Sequence, residues 1–320
     1  MLDDVWSSEA WNALERSFPD NANGSRILLT SRLPMVALEI NQNVTIHHLQ
    51  RLTDKESWEL LQKKLPEEKG FPLAHSDLGM QIARHCQGLP LTIVTVAGIL
   101  ARLEKDDGWI EVAERLSLSA VCATDQCMDV LELSYQHLPE YLKPCFLYFA
   151  AFPEDREIPS WRLMSLWIAE GFVQESEIKS LEDVAEEYIY ELTSRSLVMV
   201  SKERSLGGVR TCRIHDLLHE FCLVKAQKEN FLQFLHGDDK LFTFDEPRNL
   251  QRLCIFSGQD IFADSRLCST RVNSLMFYAQ EDEMLRSGFP TFLFLFFKRL
   301  RVLDLRHFCL HDELPSELEL

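Results

Sequence analysis

The chain has 320 residues, of which 46% are hydrophobic and 26% are charged; this composition excludes a wholly disordered protein and predicts about two or three domains. Its 33 Lys and Arg residues against 50 Asp and Glu residues give a net charge of −17, which disfavours nucleic acid and anionic membranes as partners. The N-terminus is unlike a signal peptide, and no apolar stretch approaches the ~20 residues of a membrane span. The nine scattered cysteines are typical of reduced thiols. We therefore expect a cytoplasmic protein without an integral membrane segment, with peripheral membrane attachment left open.

The first 47 residues are typical of α/β structure. A helical pattern over residues 11–18 precedes Arg26–Thr30, a short apolar run whose flanking turn residues predict a buried parallel strand. Met1–Val5 has the composition of the end of a second such strand. We therefore expect part of a parallel sheet in which only the end of the first strand is present.

Residues 48–122 have helical periodicity. Thr53 and Glu56 form a capping-box pattern at the start of one helix. Gly88 lies where a glycine ends a helix, and Pro90 occupies the first position of the next. Residues 91–103 are apolar on nearly every side, which predicts a buried helix in the centre of a helical domain.

Residues 123–236 combine helices with a hairpin. A helix is predicted over Ser160–Ala169 and another after the capping box that begins at Ser180. Two strands at Leu197–Ser201 and Val209–Ile214 are joined through two glycines, and a last helix is expected over His215–Gln227. Helices followed by a hairpin are typical of a winged-helix domain.

The C-terminal part repeats a short apolar pattern. Segments beginning at Leu250, Val272 and Leu300 fit L-x-x-L-x-L or a close variant, at spacings within the leucine-rich-repeat period of about 20–29 residues. The pattern predicts the start of a leucine-rich-repeat solenoid over residues 248–320. Because such a stack requires about three repeats or more, we expect this one to be incomplete.

Three charged side chains follow the two N-terminal strand segments. Asp3 and Asp4 lie at the end of the first, and Arg32 lies just after the second. Ligands of open α/β sheets bind beyond the carboxyl ends of the strands. A carboxylate there suits Mg²⁺, a second carboxylate can orient a water molecule, and a guanidinium can bind phosphate.

The order of motifs along the chain resembles the NB-ARC region of plant nucleotide-binding leucine-rich-repeat disease-resistance proteins, of the coiled-coil type and the late blight resistance group. The motifs that carry this resemblance are Leu2–Trp6, Gly24–Arg32, Gly88–Leu91, Leu131–Pro139, Cys145–Asp155, Leu166–Phe172 and Ile214–Glu220. The resemblance implies the C-terminal part of a nucleotide-binding domain at 1–47, a helical ARC1 domain at 48–122, a winged-helix ARC2 domain at 123–236 and leucine-rich repeats at 248–320.

The resemblance also implies roles for five residues. Asp3 corresponds to the carboxylate that holds Mg²⁺, and Asp4 to the proposed catalytic acid. Arg32 resembles the arginine that senses the phosphates, and Pro90 the residue that packs against adenine. His215 resembles the histidine that contacts the β-phosphate of ADP and holds the resting state.

The phosphate-binding loop of the family, Gly-x-x-x-x-Gly-Lys-Ser/Thr, does not occur in this sequence. We therefore expect an N-terminally truncated chain that binds ADP or ATP with Mg²⁺ only together with a P-loop half. The implied function is an ADP/ATP-dependent switch that triggers defence signalling and the hypersensitive response, with slow ATPase activity that this chain lacks on its own. The implied partners are a pathogen effector or a guarded host protein at the repeats, and other receptors of the same family.

Three alternatives stay open at this point. The chain could be a protein-interaction remnant that needs no nucleotide. His215 and His219 have the spacing of two zinc ligands on one helix, although Asp216 stands where a zinc hydrolase requires Glu and no third ligand is evident. A winged-helix domain could bind DNA, but residues 128–236 contain 11 Lys and Arg against 18 Asp and Glu, and Ser160–Ala169 offers one basic residue.

Overall fold

The fold is described from a computed structural model of the full chain. Backbone and side chains are described for residues 1–9, 11–15, 17–18, 24–40, 45–66, 76–103, 107–118, 127–205, 207–235, 251–256, 271–278, 293, 295 and 297–305, with the backbone alone at 10, 106, 123–126, 236, 283–284 and 308–309. These residues divide into two compact units, residues 1–51 and 52–320.

The first unit contains helices α1 (Ser8–Glu15) and α2 (Pro34–Ile40) and one parallel bridge between Leu2 and Leu29. The bridge confirms that the two N-terminal segments pair in parallel. The prediction of a buried strand is wrong, however, because Ile27 and Leu28 are 46% and 63% exposed. Within the described residues, no second layer covers this apolar run.

The second unit begins with helices and continues with three groups of strands. Its helices are α3 (Asp54–Lys64), α4 (Ser76–His85), α5 (Pro90–Leu100), α6 (Asp106–Leu118), α7 (Ala123–Gln136), α8 (Leu142–Leu147, continued by a 3₁₀ turn at Tyr148–Ala151), α9 (Ser160–Glu170), α10 (Leu181–Ser194) and α11 (Asp216–Lys228). Its strands are β1 (Ile158–Pro159), β2 (Met199–Glu203), β3 (Val209–Arg213), β4 (Gln233–His236), β5 (Arg252–Phe256), β6 (Ser274–Phe277), β7 (Glu283–Met284), β8 (Val302–Asp304) and β9 (Phe308–Cys309).

Local signals in the sequence begin and end these helices as predicted. Thr53 and Ser180 each cap their helix in a complete capping box with the acidic residue three positions on. Pro90 lies at the N-terminal end of α5, and Gly171 ends α9 in the left-handed conformation that favours glycine. These helices need no distant partner to define their ends.

Helix α5 lies in the core of the helical segment, which we define as α3–α6. Eight of its eleven residues are buried, among them Val96 and Gly98. The apolar side chains of this core come from α3, α4, α5, α6 and α7. Helix α7 is shared, because Val130 and Leu133 face this core whereas Leu131 and Tyr135 face the next one.

The winged-helix segment, α8–α11 with β1–β3, surrounds a large aromatic core. Strands β1, β3 and β2 form a three-stranded antiparallel sheet in that order, and β2 and β3 are the predicted hairpin. Trp167 of α9 is fully buried among Phe146, Phe149 and their neighbours. Helix α11 follows the hairpin and closes the core with Phe221.

A parallel sheet follows, with strand order β4-β5-β6-β8. The three segments predicted from the L-x-x-L-x-L pattern pair in register, with Leu253 opposite Leu275 and Leu275 opposite Leu303. Strand β4 lies within the range 123–236 predicted for the winged-helix domain and pairs with β5, which lies within the range 248–320. The backbone groups of β4 complete a ladder that would otherwise end at β5.

The two faces of this parallel sheet belong to different cores. Leu253, Leu275 and Phe277 point into a small core of their own. Cys254 and Met276, on the opposite face, point into the core of the winged-helix segment. Successive side chains of a strand alternate between faces, so one strand pattern serves both cores.

Buried polar pairs join this sheet to helix α9. Glu170 accepts hydrogen bonds from Arg252 Nε at 2.8 Å and from Ser274 Oγ at 2.5 Å. Arg162 forms an ion pair with Asp304, and each side chain is 9% exposed. We call these contacts the α9 seam. They bind the sheet to the winged-helix segment through charges that have little access to water.

The six cysteines whose side chains are described are free and buried. Burial raises the pKa of the Cys86 and Cys212 thiols to about 12, so these groups are un-ionised near neutral pH and poorly reactive. The side chains of Cys122, Cys268 and Cys309 lie outside the described residues. Among the helices described, none is long and apolar enough to cross a membrane.

Val96→Asp is expected to abolish cooperative folding of the second unit, because it places an unpaired carboxylate in the core around α5, where Val96 is fully buried. The control is Val224→Asp, on the exposed side of α11, which should change stability by less than about 0.5 kcal/mol. Thermal unfolding followed by circular dichroism measures both. An unchanged melting temperature for Val96→Asp would contradict this position of α5.

Asp304→Asn is expected to lower the free energy of unfolding by about 3–5 kcal/mol, because it leaves the Arg162 guanidinium buried without its counter-charge. Glu187→Gln removes one partner of the exposed Lys179–Glu187 pair and should cost about 0–1 kcal/mol. Urea unfolding of both variants measures the difference. Equal losses would show that the α9 seam is open to solvent.

Candidate functional site

Backbone pairing in the first unit brings the three predicted charged residues to one edge. Leu2 N–H donates to the carbonyl of Leu28 at 2.8 Å, and Thr30 N–H donates to that of Leu2 at 3.0 Å. Val5 N–H donates to the carbonyl of Thr30 at 2.9 Å. The two segments therefore run side by side in the same direction, and the residues that follow them meet at their carboxyl ends.

Thr30 links the two aspartates. Its hydroxyl donates to Asp3 Oδ1 and accepts the backbone N–H of Asp4 at 2.9 Å. Asp4 has a φ of +52°, in the left-handed region that aspartate tolerates better than most residues. The hydroxyl therefore binds the carboxylate of Asp3 and the backbone of Asp4 at once. Sequence reasoning did not select Thr30, although its place at the end of the second segment was a signal.

Asp4 and Arg32 form the charged centre of the cluster. Nε of Arg32 lies 3.3 Å from Oδ1 of Asp4, and its Nη2 lies 3.5 Å from Oδ2. The indole N–H of Trp6 donates to Oδ2 of Asp4 at 2.9 Å, and the guanidinium lies over the Trp6 ring at 4.8 Å. Because the Asp4 and Arg32 side chains are 30% and 43% exposed, an anion or a cation can reach them from solvent.

Pro90 and His215, the other two predicted site residues, lie in the second unit, each at the N-terminal end of a helix. Pro90 begins α5 and is exposed, so its ring offers an apolar surface to an approaching group. The backbone just before it is held, since Leu52 N–H donates to the carbonyl of Gly88 at 3.0 Å. This geometry suits packing against a flat ligand and gives Pro90 no chemical role of its own.

His215 is the N-cap of α11. Its Nδ1 accepts the backbone N–H of Leu217 at 3.2 Å, which satisfies one of the free donors at the start of the helix. A neutral ring that accepts at Nδ1 carries its hydrogen on Nε2. The half-buried ring of His215 can therefore cap the helix and still donate a hydrogen bond from Nε2.

His219 has a structural role that competes with the zinc hypothesis. Its Nε2 lies 2.8 Å from the carbonyl oxygen of Phe152, in a buried position. His215 and His219 thus each use one ring nitrogen to satisfy the backbone. The described residues contain no group of three or more His, Cys, Asp or Glu side chains that could hold a metal ion.

The geometry of α9 argues against DNA recognition by the winged-helix segment. Arg162, the one basic residue of α9, is buried and paired with Asp304. A helix that reads a DNA groove needs exposed side chains that reach the bases and phosphates. The buried side of α9 packs against α10, β1, β3 and the parallel sheet of the same chain.

Comparison with known proteins identifies two families along the chain. The family model of the NB-ARC domain matches residues 1–70, and that of the disease resistance protein winged helix domain matches residues 151–222. The first match includes the cluster of Asp3, Asp4 and Arg32. The second includes α9, α10, the hairpin and the N-terminal part of α11.

Three proteins of Solanum demissum show the same relationship over nearly the whole chain. The putative late blight resistance protein homologs R1B-14, R1B-16 and R1B-23 are 39%, 38% and 39% identical to it, in each case over 99% of this chain. The chain covers 24%, 25% and 26% of those proteins, respectively. It therefore spans about a quarter of the length of the curated relatives it matches.

His215→Ala is expected to lower the free energy of unfolding by about 1 kcal/mol, because the N-cap acceptor of α11 is lost. His215→Asn supplies another N-cap oxygen and should retain most of that stability. Thermal unfolding of the three proteins measures the difference. If both variants match the wild type, the ring of His215 does not cap the helix in solution.

Proposed function

Since this chain belongs to the disease-resistance proteins with NB-ARC and winged-helix domains, we propose that it is an ADP/ATP-dependent switch in plant immune signalling. In this proposal the ADP state is the resting state, and exchange for ATP triggers defence and the hypersensitive response. Slow hydrolysis returns the switch to rest, so turnover serves as a timer. The premise rests on the two family matches and on the similarity over 99% of the chain.

The observation that carries the proposal is the cluster of Asp3, Asp4, Thr30 and Arg32. Two carboxylates and a guanidinium meet at the carboxyl ends of two parallel segments, where open α/β sheets bind ligands. The Thr30 hydroxyl links the Asp3 carboxylate to the Asp4 backbone N–H. A surface with separate charges would not need this shared hydroxyl.

The donor set of the cluster fits Mg²⁺ and phosphate. Oxygen ligands from one or two carboxylates suit Mg²⁺, which when bound would neutralise charge on the phosphates. Asp3 would hold the cation, Asp4 would orient a water molecule, and Arg32 would leave Asp4 for a phosphate oxygen. The chain has no P-loop sequence to supply converging backbone N–H groups, so we expect weak nucleotide binding by these residues alone.

In this proposal His215 acts as a clasp. Its Nδ1 is used as the helix cap, so its Nε2 hydrogen is the group that would donate to the β-phosphate of ADP. Pro90 would pack against adenine from the start of α5. The contact at His215 would stabilise the resting state by the free energy of one charge-assisted hydrogen bond, about 1–3 kcal/mol.

We further propose that the sheet β4-β5-β6-β8 begins a leucine-rich-repeat array. Three of its strands recur with the L-x-x-L-x-L pattern and pair in parallel. A pathogen effector, a guarded host protein or another receptor of this family would bind through the repeats. We place the protein in the cytoplasm, with reduced thiols.

The alternative is a protein-interaction module that needs no nucleotide. The ion pair between Asp4 and Arg32 favours this interpretation, because both groups satisfy each other without a ligand. The two hypotheses differ in one respect. Only the switch requires that substitution of Asp3, Arg32 or His215 alter nucleotide binding.

For the test, the chain is joined to the P-loop segment of a late blight resistance homolog, and release of ADP is measured with a fluorescent analogue. His215→Asn retains a cap for α11 but loses the Nε2 donor, so ADP should leave about tenfold faster or more while the melting temperature is retained. His215→Ala should accelerate release and also lower the melting temperature.

The 320-residue chain alone is the second arm of this experiment, and it should bind ADP weakly or not at all. Equal rates of ADP release from wild type, His215→Asn and His215→Ala would contradict the proposed contact between His215 and the β-phosphate. Failure of the joined protein to bind ADP at all would favour the nucleotide-independent module.

A further inference from the structure

Helix α5 of the helical segment meets the end of α10 in the winged-helix segment at Gly98. A β carbon built at Gly98 would lie 2.8 Å from the carbonyl carbon of Arg195 and 3.0 Å from its Cα, and closer still to the carbonyl oxygen. Real β carbons essentially never come this close to another atom. Glycine is therefore the residue that this spacing of the two segments permits.

The backbone at Arg195 is anchored and cannot easily retreat. Its guanidinium pairs with Glu191 at 2.8 Å and donates to the carbonyl of His137 at 3.3 Å. Its N–H donates to the carbonyl of Glu191 at 3.2 Å, at the end of α10. Ser196, the next residue, has a φ of +59°, so the chain turns sharply just after the contact.

A second contact lies one helical turn beyond Gly98. The guanidinium of Arg102 donates to the hydroxyl of Ser194. Gly98 and Arg102 are four residues apart and so lie on the same side of the chain leaving α5. Two neighbouring positions of the helical segment thus meet two neighbouring positions at the end of α10.

Helix α5 is suited to transmit displacement between its ends. It is eleven residues long, it begins at the exposed Pro90, and eight of its residues are buried in the helical core. At 1.5 Å per residue, Pro90 and Gly98 are about 12 Å apart along a single helix. A shift at one end therefore moves the other.

We propose that Gly98 is a positioning residue that sets the short distance between the helical segment and the winged-helix segment. The absence of a side chain lets α5 touch the Arg195 carbonyl, and any β carbon at this position forces the two segments apart. Neither ADP nor the clasp at His215 is needed for this effect. The role of Gly98 can therefore be tested independently of the proposed nucleotide switch.

The test compares Gly98→Ala with Gly108→Ala in the full 320-residue chain. Gly108 lies in α6 of the same helical segment, and its β carbon would meet the flexible side chain of Leu103 at 3.1 Å. Alanine is a better helix former than glycine, so without a clash each change should raise the melting temperature. We expect Gly98→Ala to lower it and Gly108→Ala to leave it unchanged or raise it.

Hydrogen–deuterium exchange locates the effect. Gly98→Ala should accelerate amide exchange over residues 191–197, at the end of α10, more than over α3 and α4. Faster exchange confined to the helical core would mean that Gly98 only fills that core, and it would overturn the proposal. A raised melting temperature for Gly98→Ala would overturn it as well.

Arg195→Ala supplies an independent measurement. It releases the anchored carbonyl by removing the contacts with Glu191 and His137, so the cost of Gly98→Ala should be smaller in the Arg195→Ala background. Additive losses in the double variant would contradict the contact. If Gly98→Ala alone does not fold, recovery of folding in the double variant supports the proposal, and failure to recover overturns it.

Discussion

The burial of Glu170 is the constraint on which the second half of the fold depends. Its side chain is 1% exposed at the end of α9, where an unpaired carboxylate would cost several kcal/mol. The groups that compensate it, Arg252 and Ser274, belong to strands β5 and β6. Helix α9 can therefore take this position only when the parallel sheet is in place. The sheet in turn buries Arg252 against Glu170 of α9 and the rings of Phe172 and Phe231.

This dependence changes the meaning of the domain boundaries. The winged-helix segment and the parallel sheet differ in topology, but they share a core on one sheet face and a set of ion pairs. A partner that bound the sheet would act on α9 directly, because the contacts of the α9 seam join the two without an intermediary. The strand face turned toward α9 is already occupied by contacts within this chain.

Helix α7 connects this assembly to the helical segment. It packs into two cores with different faces, and its polar side carries Glu132 and the hydroxyl of Tyr135. Burial alone would raise the pKa of Glu132, but its hydrogen bonds and ion pair with Lys225 of α11 lower it overall. The hydroxyl of Tyr135 donates to Glu229 at 2.9 Å. The C-terminal half of α11 is thereby held to α7, at the end of the helix opposite to His215.

Much of the local structure was determined by the sequence alone. Capping boxes at Thr53 and Ser180, the proline that opens α5 and the repeated apolar pattern act over a few residues, so their outcome can be predicted without knowledge of the fold. The motif order likewise predicted the family. The α9 seam could not be predicted, because Glu170 meets Arg252 across 82 residues and Arg162 meets Asp304 across 142. Tertiary structure alone decided which of these charges are buried, that Thr30 joins Asp3 to Asp4, and that Gly98 touches the winged-helix segment, because each depends on backbones that meet only after the chain has folded.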